Sequence, residues 1–200
     1  MKINPRYIQL VGDAAIPLLG FFIWDWSLYF ILLFYFIDLL MSEVLMHVKS
    51  SKIIVFQGEE QRSSWIYQGA ISLLILLAGI TAIHGAMAQI DLGIDFQDEL
   101  IAFWSYTELG IQQGYILVPL IAFAGYQQYK LTFLMRAKYR TAEVRNIWKR
   151  HHITLILLLS SAGVALGLSF FVTLPEMIYV LLIVVGCTTY SWFFKNDLQQ

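Results

Sequence analysis

Four carboxylates fall within strongly apolar stretches of this chain: Asp13, Asp38, Glu43 and Glu108. An ionised acid at the centre of a membrane helix costs about 2.5–3.5 kcal/mol on insertion scales. Such a group must meet a partner, line a wet cavity or hold a proton. Residues three and four apart share a helix face, so each acid extends into a polar stripe. Gln9 precedes Asp13; Tyr35, Asp38 and Ser42 share one face, and Glu43 and His47 another. Ser105, Glu108, Gln112 and Tyr115 form the richest stripe, with Gln113 beside it. Three chemistries are open to these groups. They can hydrogen-bond between helices and fix a bundle, carry a proton, ion or polar solute, or form a catalytic or metal site.

The remaining chemistry-bearing residues narrow that choice. Histidine is scarce: His47, His151 and His152 fall near one predicted membrane boundary and His84 near the other. An axial pair for a b-type haem could come only from His47 with His151 or His152. There is no His-Glu-x-x-His zinc motif, and no Gly-rich phosphate loop. No span holds a lysine for a retinal Schiff base, and Ser105, Ser160 and Ser161 lack a nucleophile context. Neither a metal nor a cofactor is expected. Cys187 is the sole cysteine, so no disulfide forms within one chain.

The elements that must position these residues follow from composition. Hydrophobic residues make up 58% of the 200 and charged residues only 14%. That is too little charge to cover a water-soluble domain, which carries about 25%. Disorder is excluded for the same reason. A net charge of -1 argues against nucleic acid as a partner. Lipid is the expected solvent, and backbone groups in lipid must be satisfied within helices or a closed barrel. Continuously apolar runs such as 153–159 and 181–185 favour helices over alternating strands. The reading is an all-α bundle of six transmembrane helices in one domain. Its spans are about 7–24, 26–47, 65–87, 101–126, 153–174 and 177–194.

Charge sorts the loops. All 13 Lys and Arg residues fall before span one, between spans two and three, between four and five, or after six. The opposite loops carry Asp25, then Asp91, Asp95, Asp98 and Glu99, then Glu176, with no basic residue. By the positive-inside rule both termini are cytoplasmic, in a multi-pass protein of the cell membrane. Lys2 and Arg6 before an apolar run have the shape of a signal peptide. Asp13 interrupts that run and no small-x-small cleavage site follows, so the first helix is expected to stay. Trp24, Trp26 and Trp104 fall at the outer boundary and Trp65, Trp148 and Trp192 at the inner, as headgroup-level aromatics do.

The connection 127–152 holds Lys130, Arg136, Lys138, Arg140, Arg145, Lys149 and Arg150. Near-helical spacing of Leu131, Leu134, Met135, Lys138 and Ala142 predicts an extension of span four or an interfacial helix. Arg136, Lys138, Arg140, Arg145, Lys149 and Arg150 are candidates for anionic lipid headgroups, each contributing about 1 kcal/mol near such a surface. Gly110-x-x-x-Gly114, Gly163-x-x-x-Gly167 and the Ala78, Ala82, Ala86 repeat mark close helix approach. They would serve packing within the bundle, a homo-oligomer or a membrane-complex partner. The tight turn at Asp25 should bring spans one and two together, with Asp13 and Asp38 at similar depth.

The stretch Pro17-Leu-Leu-Gly-Phe-Phe-Ile-Trp24, Trp26-Ser, then Leu32-Leu-Phe-Tyr-Phe-Ile-Asp38 resembles the first hairpin of an uncharacterised family of prokaryotic multi-pass membrane proteins. That pattern has a proline in span one, a Trp near the turn and a Leu-Leu-Tyr-Trp-x-acid run in span two. Here Phe36 stands where Trp is usual and Asp38 where Glu is usual. The resemblance covers about 30 residues, implies a membrane location without a known activity, and singles out Asp38.

The functional expectation is an integral membrane protein whose polar interior passes protons, ions or a small polar solute. The alternative is a structural or assembly subunit whose intramembrane acids are packing devices. The third is an inner-leaflet membrane enzyme.

Overall fold

The computed structural model describes residues 5–105, 107–108, 111–172 and 174–194, the side chains of 5–11, 13, 107–108, 111–113 and 189–194 excepted. Among these residues the chain forms seven α-helices. They are α1 (Pro5–Ile23), α2 (Leu28–Gln57), α3 (Arg62–Ile90), α4 (Phe96–Ser105), α5 (Gln113–Tyr129), α6 (Val144–Gly167) and α7 (Glu176–Phe194). Two short antiparallel strands, β1 (Thr107–Glu108) and β2 (Ile111–Gln112), lie between α4 and α5, with Thr107 opposite Gln112 and Glu108 opposite Ile111.

Three helical stretches are long and apolar enough to cross a membrane: Leu28–Gln57, Glu59–Ile90 and Val144–Phe170, with mean hydropathy of 2.0, 2.0 and 2.1 over their most apolar windows. They suggest a membrane location. The exposed residues agree, because Leu73, Leu74 and Leu77 of α3, Ile153 and Ile156 of α6, and Leu182 and Val185 of α7 are turned outward. Apolar ridges of this kind mark surfaces that meet a membrane or another protein.

Helix α2 is the hub, touching every other helix. Its N-terminus is capped twice. Ser27 Oγ accepts from Phe30 N, and the Glu176 carboxylate accepts from Leu28 N. A carboxylate there also meets the positive end of the helix dipole. Ser27 donates to Glu99, so the three acidic connections converge at one end of the molecule. At the other end Gln57 donates to the carbonyls of Tyr139 and Ala142, and Val144 N donates to Gln61. Lys52 lies over the Tyr139 ring and Arg140 over Phe56. These are the acidic and basic ends.

The expected span 101–126 is not one helix. Helix α4 stops at Ser105, the strand pair intervenes, and α5 starts at Gln113. The segment 105–114 holds Ser, Thr, Glu, two Gln and two Gly, and each Gly costs a helix about 1 kcal/mol relative to Ala. Gly114 lies so close to α4 that a Cβ there would overlap the Phe103 carbonyl. From this corner α5 runs beside α2 towards the basic end. Gly125 packs on Leu45 and Met41, and Tyr129 and Phe133 share a core with Met46, Ile53 and Trp148.

Other expectations are also revised. The helical extension past span four continues only through a wide, π-helical turn at Lys130–Leu134. It ends at Ala137, which is left-handed at φ 51. Helix α1 lies chiefly along α7 rather than α2. Its turn into α2 is tight because Trp26 folds back onto Gly20, where a Cβ would collide with the indole. Gly163 and Gly167 face open space, and Ala78 and Ala82 are exposed. Of the expected small residues, Gly114 is in close approach and Ala86 is buried; close approach also occurs at Gly69, Gly79 and Gly125, against His47, Leu159 and Leu45. Gly110 lies outside the described residues. Trp26 and Trp148 are buried in the core rather than set among headgroups, while Trp104 is exposed.

Candidate functional site

Helix α2 carries two polar faces. Glu43, His47 and Ser50 follow helical spacing on one, and Asp38, Ser42 and Lys49 on the other. The first faces α3 and α6, which together make the largest helix–helix interface in the molecule.

On that first face Glu43 is only 4% exposed. Its Oε2 accepts from Ser72 Oγ of α3 at 2.6 Å and from His151 Nε2 of α6 at 2.7 Å. Its Oε1 has no hydrogen bond among the described residues, and His47 Nε2 stands 3.4 Å away. His47 Nδ1 accepts from Trp65 Nε1 at 2.9 Å. The indole can only donate, so that bond assigns the imidazole proton to Nε2, towards Glu43. Trp148, fully buried, donates to Ser50 Oγ at 2.8 Å, and Ser50 donates to the Met46 carbonyl. The Trp148 ring packs against His47, His151 and His152 at centroid distances of 5.0, 5.6 and 5.9 Å. His152 donates to the Gln68 carbonyl at 3.0 Å. A carboxylate, which only accepts, thus ties its own helix α2 to α3 and α6, which offer it donors.

This arrangement limits the chemistry. Ser72 hydrogen-bonds the carboxylate and not an imidazole, and it is fully buried, so it is not an activated nucleophile. His47, with Nδ1 accepting and Nε2 protonated, has no lone pair left for a metal or haem iron. His151 is directed at the same carboxylate. Among the described residues no group of His, Cys, Asp and Glu has the geometry of a metal site.

The second face of α2 lines a half-enclosed cleft of about 110 Å³. Asp38, Ser42 and Lys49 enter it from α2, Gln128 from α5 and Thr154 from α6. Its other walls are apolar and include Phe36, Ile83, Leu159, Ile183 and Cys187. Among the described residues, none of those lining it comes from α1. The Tyr35, Asp38 and Ser42 stripe does share this cleft, but the side chain of Asp13 lies outside the described residues.

The remaining expected groups separate. Glu108 and Gln112 stand on β1 and β2 rather than on a helix face with Ser105, and their side chains lie outside the described residues. Ser105 donates to the Ile101 carbonyl at the end of α4. Arg136, Arg140, Arg145, Lys149 and Arg150 are exposed at the basic end. Lys138 is half-buried there, and burial, then Arg136 and Arg150, push its ammonium below the usual lysine value. Near the acidic end His84 donates from Nδ1 to the Ile80 carbonyl, so its Nε2 accepts from the Tyr29 hydroxyl at 2.8 Å.

The sequence reading missed Ser72, Ser50 and Tyr29 as parts of polar clusters. For Ser72 and Tyr29 the available signal was a polar residue within an otherwise apolar turn, which gives depth but no partner; Ser50 lies in the polar run 49–52, which gives neither. Comparison of the chain with protein-family models, with curated proteins and with solved structures gives no match.

Proposed function

We propose that the chain is a multi-pass integral membrane protein that takes a proton, an ion or a small polar solute into its interior, with Asp38 as the group that meets it. The observation that carries this reading is the cleft between α2, α5 and α6, where a carboxylate and five other polar side chains line a half-enclosed space. Ionisable and polar side chains gathered inside a membrane helix bundle mark the paths of protons, ions and polar solutes. The cleft volume, about 110 Å³, limits an occupant to a few waters or a group of a few heavy atoms. The cell membrane, six crossings and cytoplasmic termini belong to the same reading. So do contacts of Arg136, Arg140, Arg145, Lys149 and Arg150 with anionic headgroups, supported by their exposure at one end.

Flux into proteoliposomes, read with a pH-sensitive dye and with cation indicators, tests it. Wild type should exceed empty liposomes, and Asp38→Asn should insert and fold normally but lose flux. Absence of flux above empty liposomes across cations and pH gradients would overturn the reading.

A second reading has its own observation. Glu43 is spent on Ser72 and His151 and joins α2, α3 and α6, as expected of a packing device in a scaffold or assembly subunit.

A further inference from the structure

The buried cluster on the first face of α2 is one hydrogen bond short. Glu43 Oε2 accepts twice, but Oε1 is buried and has no hydrogen bond among the described residues. His47 Nε2 faces it from 3.4 Å, too far for a good bond. The imidazole is seated on Gly69 of α3, where a Cβ would come within 2.8 Å of its Cε1. Its other nitrogen, Nδ1, accepts from Trp65 in the first turn of α3. His47 is also the open member of the cluster. Its side chain is 37% exposed, against 5% for Glu43 and 4% for His151.

The charges around it are few. Among the described residues Glu43 ion-pairs only with His47 and His151. Helix α3 offers Ser72, Trp65 and the Gln68 carbonyl, while Arg62 at its start pairs with Glu59. Helix α6 adds His152, bonded to Gln68, and Trp148. Lys49 of α2 lines the cleft on the other face. Tyr129 of α5 and Tyr139 of the following connection join the same core, and phenols stay neutral where imidazoles titrate. With Glu43 ionised and its three imidazoles neutral, the cluster holds one uncompensated negative charge. Burial makes that costly, and one added proton cancels it. A second proton would leave a buried positive charge instead.

We propose that His47 and Glu43 form a proton-binding site, filled from the basic end, whose occupancy releases Trp65. The site is separate from the cleft and does not depend on what the cleft takes. The proton enters at His47 Nδ1, because Nε2 already carries one. That uses the lone pair which Trp65 occupies, and an indole N–H, able only to donate, must leave it. In return the Nε2–H closes on Oε1 and gives the buried oxygen a charge-assisted bond. The proton is shared along that bond; whichever atom holds it, one proton is gained, none is released and Trp65 is displaced. His151 is the competing acceptor. Protonating it would place the charge deeper and leave Oε1 unpaired, so the geometry favours His47. Because Trp65 stands in the first turn of α3, a fall in pH at the basic end unlatches the start of α3 from α2.

Full-length protein in nanodiscs, carrying ring-labelled histidine and indole-labelled tryptophan, would be titrated by NMR from about pH 8 to about pH 5, across the ordinary histidine range. His47→Gln and Trp65→Phe assign the two signals. His47 Nδ1 should gain a proton, and the Trp65 indole proton should move upfield, at one shared midpoint with a one-proton slope. Glu43→Gln removes the facing charge and should demand about tenfold more acid or beyond. Trp65→Phe removes the competing donor and should titrate with less acid. A purely structural tie would not move the midpoint in opposite directions. Protonation of His151 or His152 ahead of His47 would overturn the proposal. So would a Trp65 bond that survives protonation of His47, a midpoint indifferent to Glu43→Gln, or imidazoles that do not titrate at all. If Glu43→Gln does not fold, the shared midpoint in wild type and the displacement in Trp65→Phe decide the matter. Flux and Asp38→Asn test the cleft separately, so either reading can fail alone.

Discussion

Replacing Glu43 by Gln keeps the shape of the buried side chain and removes its charge. The magnitude follows from its bonds. Oε2 accepts from Ser72 at 2.6 Å and His151 at 2.7 Å. A hydrogen bond to a charged group contributes about 1.5–3 kcal/mol and a neutral one about 0.5–1.5. Two such bonds weakened by about 1 kcal/mol each give a loss of about 2 kcal/mol. The amide nitrogen adds to this. With the amide oxygen left on Ser72 and His151, its NH2 would take the place of Oε1, 3.4 Å from His47 Nε2, and set two donors side by side. Glu43→Ala should be worse, about 3–5 kcal/mol, because it leaves buried donors unpaired. At the size of this chain 2 kcal/mol corresponds to about 4–8 °C in Tm. Thermal unfolding in mild detergent, followed by tryptophan fluorescence, measures it. A double-mutant cycle of Glu43→Gln with Ser72→Ala should show a coupling of about 1 kcal/mol. A Glu43→Gln variant with wild-type Tm and strictly additive behaviour would refute the account of Glu43 as the tie between α2, α3 and α6.

Three further outcomes are expected. Gly114→Ala should destabilise by about 2 kcal/mol or more, since the new methyl meets backbone that cannot rotate away. Gly163→Ala faces open space and should be neutral or stabilising by about 0.5–1 kcal/mol; the same unfolding assay compares them. Ala137→Gly should raise Tm, because a left-handed alanine costs about 1–2 kcal/mol, only partly offset by the greater freedom of glycine when unfolded. For Lys138 the depressed folded-state value means that the unfolded chain binds more protons, so its contribution to stability rises as pH climbs towards the ordinary lysine value. Lys138→Gln should flatten that rise in Tm across alkaline pH, and an unchanged slope would remove Lys138 as its source.

Much of the scaffold is legible in the amino-acid sequence. Apolar content points to helices suited to a membrane, and the ends of α2, α3 and α7 fall near the expected boundaries or extend beyond them, whereas α6 starts nine residues early and stops at Gly167, short of 174. The alternation of acidic and basic connections foretells two ends of opposite charge. The Glu43–His47 pair follows from a spacing of four, which any helix brings together. Short-range rules reach no further. Ser72 and His151 are 29 and 108 residues from Glu43, and their meeting depends on how α3 and α6 are rotated against α2. Periodicity supplies such rotations when one face of a helix is apolar and the other polar. Helix α3 is apolar on nearly every side and α2 carries polar residues on two faces, so neither sequence selects a single rotation. The same ambiguity hid the open surroundings of Gly163 and Gly167 and the burial of Trp26 and Trp148. The break after Ser105 had a local cause in its polar and glycine-rich run, but an apolar average over 101–126 concealed it. That Asp38 lines a cleft with residues of α5 and α6 was likewise decided only by tertiary packing, because 90 and more residues separate it from Gln128 and Thr154 and no local rule brings them together.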